Sequence, residues 1–442
     1  MFFEWSDYMI TSIIISIITC VCLILSVLFF PKLKIKNKEI NTYWIICVIG
    51  SLLMIIFNTI SLKEVMNGLL ADTSINPIKI VILFISMTFL SIFLDEVGLF
   101  HYLAGVAASK SKTSQISLFI ILYLLVSVLT MFTSNDIVIL TFTPFICYFS
   151  KKTKINPIPY LVAEFAAANT WSMALMIGNP TNIYLALSSN IDFISYIKVM
   201  WLPTLLAGIT ESLLIFLIFR KDLMKPLNFE MEEEKIKDKL SLTVGIIHLL
   251  ICLVLLTISS YVNIQMWIVC FCCMVSLIVW ILIIRFIKKE NNHYFIKTTK
   301  RLPFDLIPFV ISMFIIVLSL TNNGVTKEIS NLLGESDTIL KYGLTSFFTS
   351  NLINNIPMSV LFSNIPNMST PLENLQAIYS SIIGSNIGAF LTPIGALAGI
   401  MFSDLVNKQK VNYGFSKFIK YGIIISIPTI LSALLGLMIT LH

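Results

Sequence analysis

Long apolar runs recur along the whole of this sequence, and nothing constrains its fold more. About ten stretches reach the length, roughly 20 residues, that a helix needs to cross a bilayer. They lie near 8–30, 42–62, 78–94, 158–188, 197–219, 241–260, 263–285, 303–320, 374–406 and 416–441. Hydrophobic residues make up 57% of the 442-residue chain and charged residues 12%. A water-soluble domain cannot hide that much apolar surface, so the bilayer is the expected solvent. The expected fold class is an all-α polytopic membrane protein. The first run is too long for a signal-peptide core and has acids ahead of it, so it reads as a retained span.

Two further apolar stretches, 115–149 and 342–364, are each interrupted by a polar tip. The first carries "FTSNDIVILTFTP" and the second "FTSNLINNIP". Only 220–240 is a long charged run, and it reads as a cytoplasmic linker between a first repeat at 1–219 and a second at 241–442. Basic residues gather at 32–38, 110–112, 151–154, 220–239, 285–301 and 408–420. Cytoplasmic loops are enriched in Lys and Arg. All these clusters face one side only if both termini lie outside and each interrupted stretch returns to the side it entered. The stretch 115–149 is then a re-entrant hairpin from inside and 342–364 one from outside. Each half reads span, span, span, hairpin, broken span, span, with opposite starting sides. That is the pattern of inverted-topology repeats.

Non-helical backbone is tolerated at membrane depth only inside protein or beside water. The two tips therefore point to a central site. The first offers Thr133, Ser134, Asn135 and Asp136; the second offers Thr349, Ser350, Asn351, Asn354 and Asn355. A broken span follows each hairpin. One has Asn169, then Gly178, Asn179, Pro180, Thr181 and Asn182; the other has Ser385, Asn386, Gly388, Thr392, Pro393 and Gly395. Proline removes a helix donor and glycine accepts unwound backbone. Paired breaks in matching places mark transporter binding sites, although single breaks are often only kinks and polar side chains often only join helices.

Asp136 is the strongest candidate for an ion or proton carrier, because a charge at mid-bilayer is costly and normally faces a cavity. Glu164 reads either as interfacial or as buried. Glu211 sits deeper and could snorkel, pair or relay. His248 reads as structural, and Asp95, Glu96 and Asp404 as interfacial. The eight cysteines match no zinc spacing, so no metal site is expected. Cys270, Cys272 and Cys273 could hold a soft metalloid but read as small apolar helix residues. The four histidines form no H-E-x-x-H pair and no phosphate-binding G-x-x-x-x-G-K-[ST] occurs, which argues against an enzyme and against ATP hydrolysis by this chain.

Several segments resemble the arsenical-pump (arsenite efflux) family of the larger ion transporter superfamily. They are "LDEVGLFHYLA", "SNDIVILTFTPFI", "SLTNNGVTKEIS", "NNIPMSVLFS" and "SNIGAFLTPIGALAGIMFSDLV". The resemblance implies an inverted-repeat secondary transporter of the plasma membrane that exports arsenite or antimonite against proton entry. It also implies a site at the hairpin tips and broken helices. The family has Asp where this chain has Asn169 and Asn386, and "GNPTN" is similar to its anion-carrying relatives. The alternative is a Na⁺- or H⁺-coupled carrier of an organic or inorganic anion, resembling citrate and dicarboxylate transporters. No cofactor is expected beyond the coupling ion, H⁺ or Na⁺. The expected partners are lipid and a small solute, with no nucleic acid; a homodimer and a separate ATPase subunit stay open.

Overall fold

The computed structural model describes residues 6–441 apart from 31, 36–37, 73–75, 112–113, 228–235, 237, 260–261, 263, 289–293, 335 and 366–367. Lys36, Lys112, Lys235, Lys237, Lys289, His293, His442 and the middle of the 220–240 linker lie outside the described residues. The described chain is nearly all helix. Its first part runs α1 (Asp7–Phe29), a two-stranded hairpin of β1 (Lys32–Ile35) and β2 (Lys38–Asn41), α2 (Tyr43–Ile56), α3 (Leu62–Leu70), α4 (Pro77–Glu96), α5 (Leu99–Lys110), α6 (Gln115–Phe132), α7 (Asn135–Thr153), α8 (Ile158–Trp171), α9 (Pro180–Ser188) and α10 (Phe193–Leu223). Its second part runs α11 (Lys239–Ser259), α12 (Met266–Lys288), α13 (Tyr294–Arg301), α14 (Leu306–Asn322), α15 (Val325–Leu333), α16 (Thr338–Ile353), α17 (Asn355–Phe362), α18 (Pro371–Gly388), α19 (Leu397–Lys408) and α20 (Phe415–Thr440).

Several elements recur in order between the two parts, although α2 has 14 residues against 23 in α12 and α7 has 19 against 8 in α17. Both α3 and α13 are short and amphipathic. Both α5 and α15 start after a glycine with left-handed backbone, Gly98 at φ +93° and Gly324 at φ +81°. A side chain there would be strained, so each glycine lets a long helix fold back sharply into a short one. The hairpin β1–β2 has no counterpart between α11 and α12 among the described residues.

Local sequence explains the helix starts. Asn76 caps α4 by accepting from the amides of Ile78 and Lys79, with Pro77 at the first helical position. Thr370 and Glu373 cap α18 reciprocally, again ahead of a proline. Among the described residues, eight helices are long and apolar enough to cross a membrane. The span expected at 42–62 is instead a short α2 followed by the separate α3, because Asn58 takes positive φ and ends the run.

Packing is laced between the parts. α2 packs on α14, α4 on α12 and α10 on α20, while α6 packs on α8 and α16 on α18. α8 and α18 are buried over most of their length. α11 and α12 turn Leu250, Val254, Phe271, Val275 and Val279 outward, an apolar exterior suited to lipid tails.

Candidate functional site

The first tip is a two-residue extended break. α6 stops at Phe132, Thr133 and Ser134 run extended, and α7 starts at Asn135. The Thr133 hydroxyl donates to the Leu129 carbonyl at 2.7 Å. Asn135 donates to the Asn169 side-chain oxygen at 3.0 Å, and Asn169 donates to the Phe165 carbonyl at 2.8 Å. That chain of bonds pins the start of α7 to the last turn of α8. The Ser134 hydroxyl, at the cap of α7, is buried and meets no hydrogen-bond partner among the described residues. Asp136 follows in the first turn, where the helix end presents partial positive charge.

The second tip does not sit where the repeated "FTSN" places it. Thr349, Ser350 and Asn351 lie in the last turn of α16, and the chain breaks at Asn354, whose backbone has φ 72° and ψ 152°. Ser134 and Asn135 thus correspond in place to Asn354 and Asn355. The motif slips because Asn351 has partners beyond the tip. It donates to the Gly388 carbonyl at 2.9 Å and accepts from the Thr392 amide and hydroxyl at 3.1 and 2.7 Å. The Ser350 hydroxyl donates back to the Phe347 carbonyl. Asn354 donates to the Ile394 carbonyl at 3.0 Å and the Asn355 amide to that of Gly395 at 2.9 Å.

Both broken spans break where Gly and Pro indicated. Two single 3₁₀ turns (Ser172–Ala174 and Met176–Gly178) separate α8 from α9. A Cβ on Gly178 would stand 2.3 Å from the Ser172 carbonyl oxygen, so only glycine lets this segment fold back on itself. Asn179 caps α9 ahead of Pro180, accepting from the Thr181 amide. Residues 389–396, with Thr392, Pro393 and Gly395, separate α18 from α19.

Asn386 joins the two broken spans. Its oxygen accepts from the Ser172 hydroxyl at 2.9 Å and from Asn179 at 3.0 Å, and its nitrogen donates to Asn182 at 2.6 Å. Asn182 in turn donates to the Ser172 carbonyl at 2.9 Å. Beside this knot the Thr181 and Ser385 hydroxyls are buried without a partner among the described residues. Ser172 was not singled out from the sequence, although it stands in "NTWSMAL" directly ahead of the break.

A cavity of about 1140 Å³ opens beside the first tip. Of the residues expected at the site, Ser134, Asp136 and Pro393 line it; the Asn knot lies behind its wall. Farther out the wall carries Lys32, Arg301, Asp305, Asp404 and Lys408, which the sequence reading did not place at a site, apart from an interfacial Asp404. Arg301 binds Asp95 and Glu96 at 2.7 Å each. Lys408 and Lys32 approach Asp404 at 2.8 and 3.5 Å. Partial burial pushes the Asp404 carboxyl up, but the two lysines outweigh it and hold the group below the usual carboxylate range. The wall thus carries three cations, Lys32, Arg301 and Lys408, against three acids, Asp136, Asp305 and Asp404, and has no excess of either sign.

Glu164 is not interfacial: it is 2% exposed and faces the Thr143 hydroxyl of α7. Glu211 does not snorkel. It is buried and accepts from the Tyr123 and Thr170 hydroxyls at 2.6 Å each. His248 bonds the Val244 carbonyl and the Ser276 hydroxyl within its own helix pair. Cys270, Cys272 and Cys273 all lie on α12, and no group of three or more His, Cys, Asp or Glu placed to hold a metal occurs among the described residues.

Comparison with known proteins places the whole arrangement. The family model described as Citrate transporter matches residues 39–381. This chain belongs to the citrate transporter family. It is 27% identical over 382 residues to the arsenical pump membrane protein of Escherichia coli (strain K12), covering 81% of this chain and 85% of that protein. It is 25% identical over 376 residues to the arsenical pump membrane protein of Yersinia enterocolitica, with the same two coverages. Among solved structures, the YdaH transporter of Alcanivorax borkumensis shares the fold with a TM-score of 0.55 at 12% identity, over 98% of this chain and 97% of that one. The family member described here is therefore a multi-pass membrane transporter and not an enzyme.

Proposed function

We propose that this transporter exports arsenite or antimonite from the cytoplasm across the plasma membrane, coupled to proton entry, by alternating access. One observation carries the reading: Ser134, with an unsatisfied hydroxyl, and Asp136 stand together at the N-terminus of α7 on the wall of one large cavity. An uncharged metalloid hydroxide needs hydrogen-bond donors and acceptors and no fixed cation, and such groups line that end. A multiply charged anion would find no excess of cations on that wall. The relatives named arsenical pump membrane protein support the same substrate class. Asp136 carries the proton, since a lone carboxylate at this depth is stable only when it can be neutralised or hydrated.

In this reading residues 1–219 and 241–442 are inverted repeats, the linker and the charged cavity mouth face the cytoplasm, and both termini lie outside. The cavity is then the inward-open state. The decisive experiment is arsenite uptake into everted vesicles under an imposed pH gradient. Uptake above empty vesicles that a protonophore abolishes supports the proposal; its absence with folded protein present overturns it. A second reading, a Na⁺- or H⁺-coupled anion carrier, is favoured by the cavity's size, which exceeds what a metalloid hydroxide fills, and by the family's description. Citrate counterflow in proteoliposomes separates the two.

A further inference from the structure

Among the described residues of the first part, the carboxyl-bearing residues Glu164 and Glu211 are buried, and their surroundings differ. Glu211 of α10 receives a separate hydroxyl on each oxygen, from Tyr123 of α6 and Thr170 of α8. The Trp171 indole then donates to the Tyr123 hydroxyl at 3.0 Å. An ionised carboxylate only accepts hydrogen bonds, and here two different hydroxyls can supply them, although Tyr123 shares its one proton with the Gly208 carbonyl at 2.7 Å. Glu211 thus suits a permanent anchor for the end of α8.

Glu164 has no such shell. Both its oxygens stand 3.0 Å from one hydroxyl, that of Thr143, which can donate to only one of them at a time. Among the described residues no other side chain bonds it and no cation pairs with it. α8 packs on α6, α7, α10 and α18. From α7 the Cys147 thiol is in electrostatic reach. The nearest titratable groups of α6 and α10, Tyr123 and Glu211, are bonded to each other, and Tyr379 of α18 donates to the Ser195 carbonyl. Lys151, Lys152, Arg220 and Lys221 lie in the last turns of α7 and α10. A bare carboxylate in so dry a place costs several kcal/mol. A carboxyl that keeps its proton can instead donate it to the Thr143 oxygen.

The position of this pair gives the proton a use. Thr143 lies two turns along α7 from Asp136, and Glu164 lies one and a half turns along α8 from Asn169. The Asn135–Asn169 bond ties the same two helices at the site. Any sliding of α7 along α8 that frees the tip also removes the single partner of Glu164. We propose that Glu164 is a second proton-binding site of the transport cycle, holding its proton while Thr143 faces it and releasing it to water when a shift of α7 on α8 opens the carboxyl to hydration. The transported stoichiometry, though not the existence of the site, rests on the proton-coupled reading above.

The test has two arms on full-length protein in proteoliposomes. The first needs no substrate: pH-difference infrared spectra of wild type, Glu164→Gln, Glu211→Gln and Asp136→Asn. A protonated-carboxyl band that is present at neutral pH, vanishes reversibly on alkalinisation, and is lost in Glu164→Gln alone supports the proposal. A spectrum unchanged by Glu164→Gln overturns it, as does a band that never titrates. The second arm is the balance point of arsenite flux against the pH gradient. Glu164→Gln, which keeps a side chain of the same size facing Thr143, is expected to lower the protons moved per arsenite about twofold. An unchanged ratio overturns the role in transport. Wild type that moves no arsenite condemns the substrate reading, while the infrared arm still decides whether Glu164 binds an exchangeable proton.

Discussion

The two tips share a shape and divide the chemistry. At the first, Asp136 is the second residue of α7; at the second, Ile356 holds the matching place in α17. Seven residues before the end of α8 stands Glu164, and seven before the end of α18 stands Ser381. The α10 anchor Glu211 has no acidic equivalent in α20. Asn169 and Asn386 do match, each two residues from its helix end, but Asn169 bonds within its own half while Asn386 bonds three residues of the other. The two tips and broken spans thus differ in charge, with the acids Asp136 and Glu164 in the first and none at the matching places of the second. The second tip and broken span serve as a template of amides and backbone carbonyls.

The largest effect expected to sharpen this contrast is Asp136→Asn. It should abolish pH-gradient coupling, at least tenfold in gradient-driven flux, with the fold intact by size-exclusion profile and melting curve. Ile356→Asn, the same side chain at the matching place, should leave coupling within about twofold if charge belongs to the first half alone. Coupling lost equally in both variants would break the comparison.

Next in size is Asn386→Ala. It strands the Asn179 side-chain nitrogen and the Asn182 side-chain oxygen in a dry interior, each worth about 1–3 kcal/mol when unpaired, while the Ser172 hydroxyl keeps the Asn169 carbonyl. A fall in melting temperature clearly larger than for Asn169→Ala is expected, since the latter strands fewer groups. Smaller again is Ser134→Ala. It should raise the half-saturating substrate concentration several-fold without changing the melting curve, while Ser385→Ala, whose hydroxyl does not line the cavity, should change neither.

The smallest effect concerns the mouth. Asp404 is held below the usual carboxylate range, so its stabilising contribution is complete above the ordinary value near pH 3.9 and disappears as pH falls through its lowered one. Being partly exposed, it is worth only a fraction of a kcal/mol. Asp404→Asn should therefore lower the melting temperature slightly at neutral pH, and the difference from wild type should close in strong acid.

Element order, both hairpin breaks and both broken spans were legible because apolar length and Gly–Pro punctuation act locally. The register of the second tip was not. "FTSN" repeats in letters, yet the break falls four residues later, at a position fixed by contacts of Asn351 and Asn354 with 388–394, far along the chain. The division of the site residues into cavity wall and buried knot was likewise hidden, because it depends on which face of each helix meets which neighbour. The same holds for Glu164, whose place beside Thr143 follows from the packing of α7 on α8. The breadth of the mouth came from Lys32, Arg301 and Lys408, which from sequence alone read as orientation signals.

The exchange of helices between the halves bears on how the molecule is made. α2 rests on α14 and α4 on α12. A ribosome that has just released α2 must add roughly 250 more residues before α14 appears, which at 5–20 residues per second takes roughly 10–50 s. Through that interval the polar faces of the early helices lie in lipid without their mates. Packing of α2 on α14 thus waits until well into synthesis of the second part. The interval is a window in which insertion chaperones, rather than the finished fold, guard the chain.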